Sequence, residues 1–270
     1  MRPVSKRGAR NLHFVARAGY AARGIIYLIV GGLAALAALG QGGGTTDSRG
    51  ALSTVLSAPF GKSLLAAIAL GLLGYAAWRA VQALLDVDDH GTGLKGVAIR
   101  SGLAVSAITH VALAFFAASL AMGWGTGGGS GNGSSQEWTA WLLGQPLGPW
   151  LVAAVGLVIA AVGVAHIVKA WRADFLRRFD MDSREREFIS PISRFGLAAR
   201  GVVFLLIGGF LITAAVQHDP SEARGLSGAL QALQQQPFGW FLLAVLAVGL
   251  VAFGAYSLIE SVYRRVVVPV

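Results

Sequence analysis

Six apolar stretches, each close to the thickness of a bilayer when wound as a helix, recur along this chain at residues 20–40, 61–84, 98–122, 147–170, 196–217 and 238–262. A transmembrane helix needs about 20 such residues. No water in the hydrocarbon layer can satisfy an open backbone, so only helices and closed barrels cross it. Short segments of alternating polarity, the mark of barrel strands, are missing here. The chain therefore reads as an all-α polytopic membrane protein with six transmembrane helices. Composition agrees: 55% of residues are hydrophobic and 13% charged, against about a quarter charged in a soluble domain. With no cysteine, disulfide frameworks, thiolate zinc sites, cysteine-ligated iron–sulfur clusters and CxxC redox pairs are excluded. No cofactor is expected.

The charges then set a direction. Arg2, Lys6, Arg7, Arg10, Arg17 and Arg23 precede or open the first stretch. Arg79, Lys95 and Arg100 surround the second connection, a run from Lys169 to Arg200 surrounds the fourth, and Arg264 and Arg265 follow the sixth stretch. Of the 22 basic residues only Arg49, Lys62 and Arg224 fall on the other side. By the positive-inside rule both termini are cytoplasmic. The formal net charge of +9 thus points to the anionic headgroups of the bilayer's inner surface as partner, not to nucleic acid. The basic leader and the Ala35-Leu36-Ala37 end of the first stretch imitate a secretory signal with its cleavage site. An internal copy of that segment near Arg200 argues for a retained first helix.

Self-comparison shows three copies of one hairpin. Arg17-Ala18-Gly19-Tyr20-Ala21-Ala22-Arg23-Gly24 matches Arg194-Phe195-Gly196-Leu197-Ala198-Ala199-Arg200-Gly201, and a weaker copy runs from Arg100 to Ala107. Pro59-Phe60-Gly61, Pro146-Leu147-Gly148 and Pro237-Phe238-Gly239 open the second, fourth and sixth stretches. The units are a basic stretch at 1–13 and repeats at 14–86, 97–172 and 191–265. Two spans per unit give every copy the same orientation, so a parallel repeat with a pseudo-threefold axis along the membrane normal is expected. Before each Pro-x-Gly lies a short amphipathic stretch (Gly50–Leu56, Trp138–Leu143, Ala229–Leu233), expected to lie flat at the outer interface. The glycine-serine run Gly125–Ser135 reads as a flexible loop.

The leading RxGxxARG pattern, the segment Asp219-Pro220 through Ala229-Leu230, Pro237-Phe238-Gly239, and Gly249 through Leu258 together resemble the bacterial membrane family catalogued as domain of unknown function 1206. The resemblance covers nearly the whole chain and is weakest in the second copy, where Ser106 and His110 replace an Arg and an aromatic (Arg23 and Tyr27, Arg200 and Phe204). It implies three tandem two-helix repeats in a bacterial inner membrane and brings no activity with it.

Few residues could carry chemistry. On each in-going helix the positions four, seven and fourteen after the leading Arg are small: Ala21, Gly24, Gly31; Ala104, Ala107, Ala114; Ala198, Gly201, Gly208. Such a face lets backbones approach closely; the competing reading is the lining of a central passage. Arg17, Arg100 and Arg194 would ring the cytoplasmic mouth, either holding an anion bidentately or snorkelling to headgroups. Arg23 and Arg200 lie about 9 Å deeper and are stronger candidates for anion or solute binding. His110, about 15 Å past Arg100, is either bonded to a neighbouring carbonyl or a relay or ligand group. His166 sits far from it in depth, which disfavours a bis-histidine haem. Lys169 and Glu260 hold equivalent repeat positions and suggest an interfacial ion pair or headgroup contacts.

Three motifs are decoys. Gly225-Leu226-Ser227-Gly228 imitates an intramembrane serine protease without a base in reach. Gly61-Lys62-Ser63 imitates the end of a phosphate loop, but position 56 is Leu. Asp86, Asp88, Asp89 and His90 form an acidic turn, solvated sooner than metal-bound. No metal site and no enzyme are expected. Two readings remain: a non-catalytic membrane module that packs with a membrane-protein partner or a second copy, or a transporter or channel passing a small anion or other solute between the hairpins.

Overall fold

The computed structural model describes residues 6–124 and 131–265. Residues 1–5 of the basic N-terminal stretch and 125–130 of the glycine-serine run lie outside the described residues. Each repeat is a long helix, a short helix and a long return helix. Repeat 1 contains α1 (Lys6–Ala38), α2 (Ser48–Leu56) and α3 (Gly61–Leu85). Repeat 2 contains α4 (Leu94–Met122), α5 (Gly131–Leu143) and α6 (Gly148–Arg172). Repeat 3 contains α7 (Ser183–Gln217), α8 (Leu226–Gln234) and α9 (Gly239–Tyr263). The six long helices are long and apolar enough to cross a membrane.

α1 begins at Lys6, ahead of its apolar stretch, and two further boundaries that differ from the sequence reading have a visible cause. α7 begins at Ser183, well before its apolar stretch, because Asp182 accepts the Glu185 N–H at 2.7 Å and Glu185 accepts the Asp182 N–H at 3.0 Å. This reciprocal cap starts a helix in a charged segment. Residues 131–135, expected as loop, are the first turns of α5. Arg49 donates to Ser134 Oγ at 2.8 Å and Gln136 to the Ser221 carbonyl at 3.1 Å, and these ties to repeats 1 and 3 override the poor helix propensity of Gly131-Asn132-Gly133.

The Pro-x-Gly motif makes the sharp step from short helix to return helix. Its middle residue is left-handed in every copy: φ is 57° at Phe60, 62° at Leu147 and 58° at Phe238. The glycine that follows lies against the end of the short helix. A Cβ on Gly61 would meet the Val55 carbonyl oxygen at 2.4 Å, and one on Gly239 the Gln234 oxygen at 2.1 Å, so no larger residue fits.

The long helices pack in the order α4, α3, α1, α9, α7, α6. Seams between repeats (α3 on α4, α6 on α7, α9 on α1) occur three times, whereas the seam within a repeat forms only for α1 with α3 and α7 with α9. Among the described residues α4 and α6 do not pack on each other. In repeats 1 and 3 an arginine clamps the hairpin: the Arg23 guanidinium lies 5.2 Å from the Tyr75 ring and that of Arg200 4.5 Å from the Phe253 ring. Repeat 2 carries Ser106 and Val162 at these positions, so its two spans have no such clamp. The expected three like hairpins are therefore two closed hairpins and one splayed.

The small-residue faces form the seams between repeats. A Cβ on Gly24 would lie 2.9 Å from the Gly254 oxygen, and one on Gly201 2.7 Å from the Gly163 oxygen. Ala107 and Ala76 hold the same repeat positions on α4 and α3 and are both buried. Toward the face carrying the short helices, one apolar cluster fills the space between the long helices. It includes Val30, Leu52, Leu65, Leu72, Leu120, Val203, Leu230 and Leu250. Burial on that side is mainly hydrophobic packing, with Thr139 and Ser227 the buried polar side chains of the short helices. The polar interior lies toward the opposite face, which carries the α3–α4 and α6–α7 connections and the end of α9.

Candidate functional site

A cluster of charges and aromatic rings is buried on the terminal side of the apolar plug. α1 contributes Tyr20, Arg23 and Tyr27, one helical turn apart, so all three point to one side. α3 contributes Tyr75, Trp78, Arg79 and Gln82 with the same spacing. The Tyr75 hydroxyl is the hub. It accepts from Arg23 Nη1 and from Arg79, whose Nε lies at 2.8 Å. Arg79 also donates to Gln82 Oε1 at 3.1 Å, and Gln82 in turn to Asp88 Oδ2 at 2.6 Å. Trp78 Nε1 donates to the Tyr20 hydroxyl at 3.1 Å.

α9 supplies the deep carboxylate. Glu260 is 2% exposed, accepts from Arg264 Nη1 at 2.8 Å and faces Arg23 Nη2 at 3.9 Å. A charge so buried persists only when paired. Arg264 also reaches Asp88 at 3.6 Å, and Arg178 reaches the other oxygen of Asp88 at 3.3 Å. The Asp180 N–H donates to the Tyr263 carbonyl at 2.8 Å. The chain after α6 is thus tied to the end of α9, with Phe175, Leu176 and Phe179 buried beneath. Asp86 ends α3 in a left-handed conformation. The N–H of His90, and then that of Gly91, hold its carboxyl below the ordinary aspartate range.

The sequence-derived candidates separate into two groups. Arg23, Arg200 and His110 come together. The Arg23 and Arg200 guanidinium carbons lie 4.7 and 4.5 Å from the one Phe253 ring, Arg200 donates to the Tyr27 hydroxyl, and the His110 ring lies 4.5 Å from that of Tyr75, tilted by 54°. Arg23 Nε and Arg200 Nε are buried without a hydrogen-bond acceptor among the described residues, and ring faces stand in their place. His110 Nδ1 lies 2.7 Å from the Ser106 carbonyl.

Arg17, Arg100 and Arg194 are elsewhere. Arg17 is exposed. Arg100 donates to the carbonyls of Ala83 and Leu84 at 2.7 and 3.1 Å, and Arg194 to that of Ala170 at 2.9 Å. They cap the open carbonyl ends of α3 and α6. The expected pair of Lys169 with Glu260 is not formed. Lys169 instead donates to the Tyr256 hydroxyl at 3.2 Å, while Arg264 and Arg23 lie at ion-pair distance from the carboxylate.

Sequence reasoning passed over Tyr75, Arg79, Gln82 and Arg264. The signal that would have found Arg79 and Gln82 is the repeat itself: Arg79, His166 and Ser257 share one position of the return helix, and Gln82, Lys169 and Glu260 another. All six are polar inside or at the end of an apolar span.

Between α3, α4, α6, α9 and the α6–α7 connection, the cluster opens into a cavity of about 380 Å³. Its basic walls are Arg79, Lys169, Arg178 and Arg264, its acidic ones Asp88, Asp174 and Glu260, and α4 adds Ile99 and Leu103. More basic than acidic side chains line it, a balance that suits an anion.

A family model described as Domain of Unknown Function (DUF1206) matches residues 18–86, 101–173 and 195–264. The "Uncharacterized protein YxxB" of Bacillus subtilis (strain 168) is 36% identical over 252 residues, which is 92% of this chain and 90% of that protein. No solved structure matches.

Proposed function

The chain belongs to the Domain of Unknown Function (DUF1206) family, and from that premise we propose that it is a non-catalytic membrane module. Three hairpins would pack into one unit in a bacterial inner membrane, with both termini and the charged cluster on the cytoplasmic side. One observation carries this reading. The side of the molecule with the short helices is plugged by a continuous apolar cluster from Val30 to Leu250, which sets apolar side chains across the path of a polar solute. The small-residue faces support it, since Gly24 and Gly201 spend their smallness on backbone contact with α9 and α6. Partners would be anionic headgroups at the basic face, and a membrane protein or second copy along α4 and α6, whose spans are the least buried.

The runner-up is a carrier for a small anion, favoured by the basic cavity below the plug. Reconstitution separates the two. Proteoliposomes loaded with chloride, phosphate or a pH dye are expected to leak no faster than empty liposomes. Flux that depends on the protein and disappears in the Arg23→Gln, Arg200→Gln double variant overturns the module reading.

A further inference from the structure

We propose that the cavity beneath the basic face is a binding site for a phosphomonoester group, gripped between Arg79 of α3 and Lys169 of α6. The proposal concerns residues other than the deep Arg23–Arg200 pair and stands apart from the packing reading.

The charge arrangement carries it. The cations in and beside the cavity are not all paired. Arg264 and Arg178 are engaged by Glu260 and Asp88, and Arg23 shares Glu260. Arg79 and Lys169 are left over. Among the described residues the hydrogen-bond partners of Arg79 are Tyr75 and Gln82, and that of Lys169 is Tyr256. None of the three is a carboxylate. Two positive charges at the walls of a confined space, with no carboxylate at ion-pair distance among the described residues, are costly unless an anion supplies the balance.

Geometry selects the anion. About 380 Å³ is roughly ten times the share of one water in the liquid, enough for a phosphate group with its ester carbon. The second N–H on each Arg79 Nη, beyond the bonds to Gln82 and Tyr75, together with the Lys169 ammonium on the same cavity, suits a tetrahedral oxyanion. A phosphomonoester carries about −1.5 to −2 and matches the two cations that make no ion pair, Arg79 and Lys169, better than a diester or a carboxylate. A divalent metal is disfavoured, because the lining carboxylates are already paired. Access is present: Lys169 is exposed although its Nζ is bonded to Tyr256, and α4 and α6 do not pack on each other beside it. Ile99 and Leu103 on the α4 wall give the remainder of the ligand an apolar surface. The phosphomonoester can therefore be a lipid headgroup entering from the leaflet or a soluble phosphate entering from the aqueous side.

The test uses the full chain in nanodiscs and reads its thermal midpoint at matched ionic strength. The arms are phosphatidylcholine alone, phosphatidylcholine with phosphatidic acid, phosphatidylcholine with phosphatidylglycerol, and phosphatidylcholine with inorganic phosphate added against chloride. A rise with phosphatidic acid well above that with phosphatidylglycerol identifies the lipid source. A rise with inorganic phosphate identifies the soluble one. Either rise is expected to vanish in Lys169→Gln, with apparent affinity down about tenfold or more, to survive in Lys169→Arg, and to be unaffected by Lys62→Gln on the far face. Lys169 is exposed, so its variants retain the fold, which the midpoint in phosphatidylcholine alone verifies. The proposal is overturned if neither phosphate source raises the midpoint, or if the rise is as large in Lys169→Gln as in the unaltered chain.

Discussion

At the scale of single residues, Glu260 organises the interior. It accepts from Arg264 at 2.8 Å and faces Arg23 at 3.9 Å while almost wholly buried. Replacing it with Gln keeps the shape and removes the charge, which leaves Arg23 without a carboxylate and Arg264 with Asp88 alone. Breaking a buried pair from one side costs about 3–5 kcal/mol. Glu260→Gln is therefore expected to lower the unfolding free energy in detergent by that order. The double variant Glu260→Gln, Arg264→Gln should lose less than the sum of the singles, because the Arg264 charge leaves with its partner. Equal and additive losses would show that the two side chains are not coupled. Much of this site was hidden in the sequence for a physical reason. Arg23, Arg200 and His110 announced themselves as charges or a histidine within apolar stretches. Arg79 lies near the end of its span, where an arginine reads as a headgroup anchor, and Tyr75 reads as an ordinary aromatic until Arg23 is placed on it.

At the scale of elements, the six spans were legible because hydrophobic length is a local property, and Pro-x-Gly marked each return helix. The first turns of α7 and α5 were not, since both start in polar residues whose helicity depends on a capping box and on contacts with other repeats. The splaying of α4 from α6 was written only indirectly, in Ser106 and Val162 standing where the other repeats hold an Arg and an aromatic. The seams between repeats make a sharper statement. A Cβ on Gly201 would lie 2.6 Å from Ile167 Cγ1 and 2.7 Å from the Gly163 oxygen, whereas one on Gly209 meets nothing within 4 Å. Gly201→Ala should therefore destabilise by about 1–3 kcal/mol through overpacking. Gly209→Ala should be neutral or stabilise by up to about 1 kcal/mol, the helix preference of Ala over Gly. Thermal unfolding of the two variants side by side tests this, and equal effects would mean that the α6–α7 seam is looser than the backbone approach implies.

At the scale of the whole molecule, three copies of one hairpin must share one orientation, since each returns the chain to the side it left. Ser57, Gly144 and Gln235 hold the same position in each repeat, just past the short helix, and all are exposed. Thr92 and Arg177 are exposed on the opposite face, in the α3–α4 and α6–α7 connections. The chain has no cysteine, so single cysteines at these positions report without background. With 19 basic residues crowding the Thr92 and Arg177 side once Arg49, Lys62 and Arg224 are set aside from the 22, that side should stay in the cytoplasm. In intact cells a membrane-impermeant maleimide is expected to label Ser57→Cys, Gly144→Cys and Gln235→Cys, and to label Thr92→Cys and Arg177→Cys only after permeabilisation. The reverse pattern would invert the orientation and keep the parallel repeat. Labelling of Gly144→Cys on the side opposite to Ser57→Cys would require an inverted second copy, and the seams that repeat the Gly24–Gly254 meeting at Gly201–Gly163 could not then form.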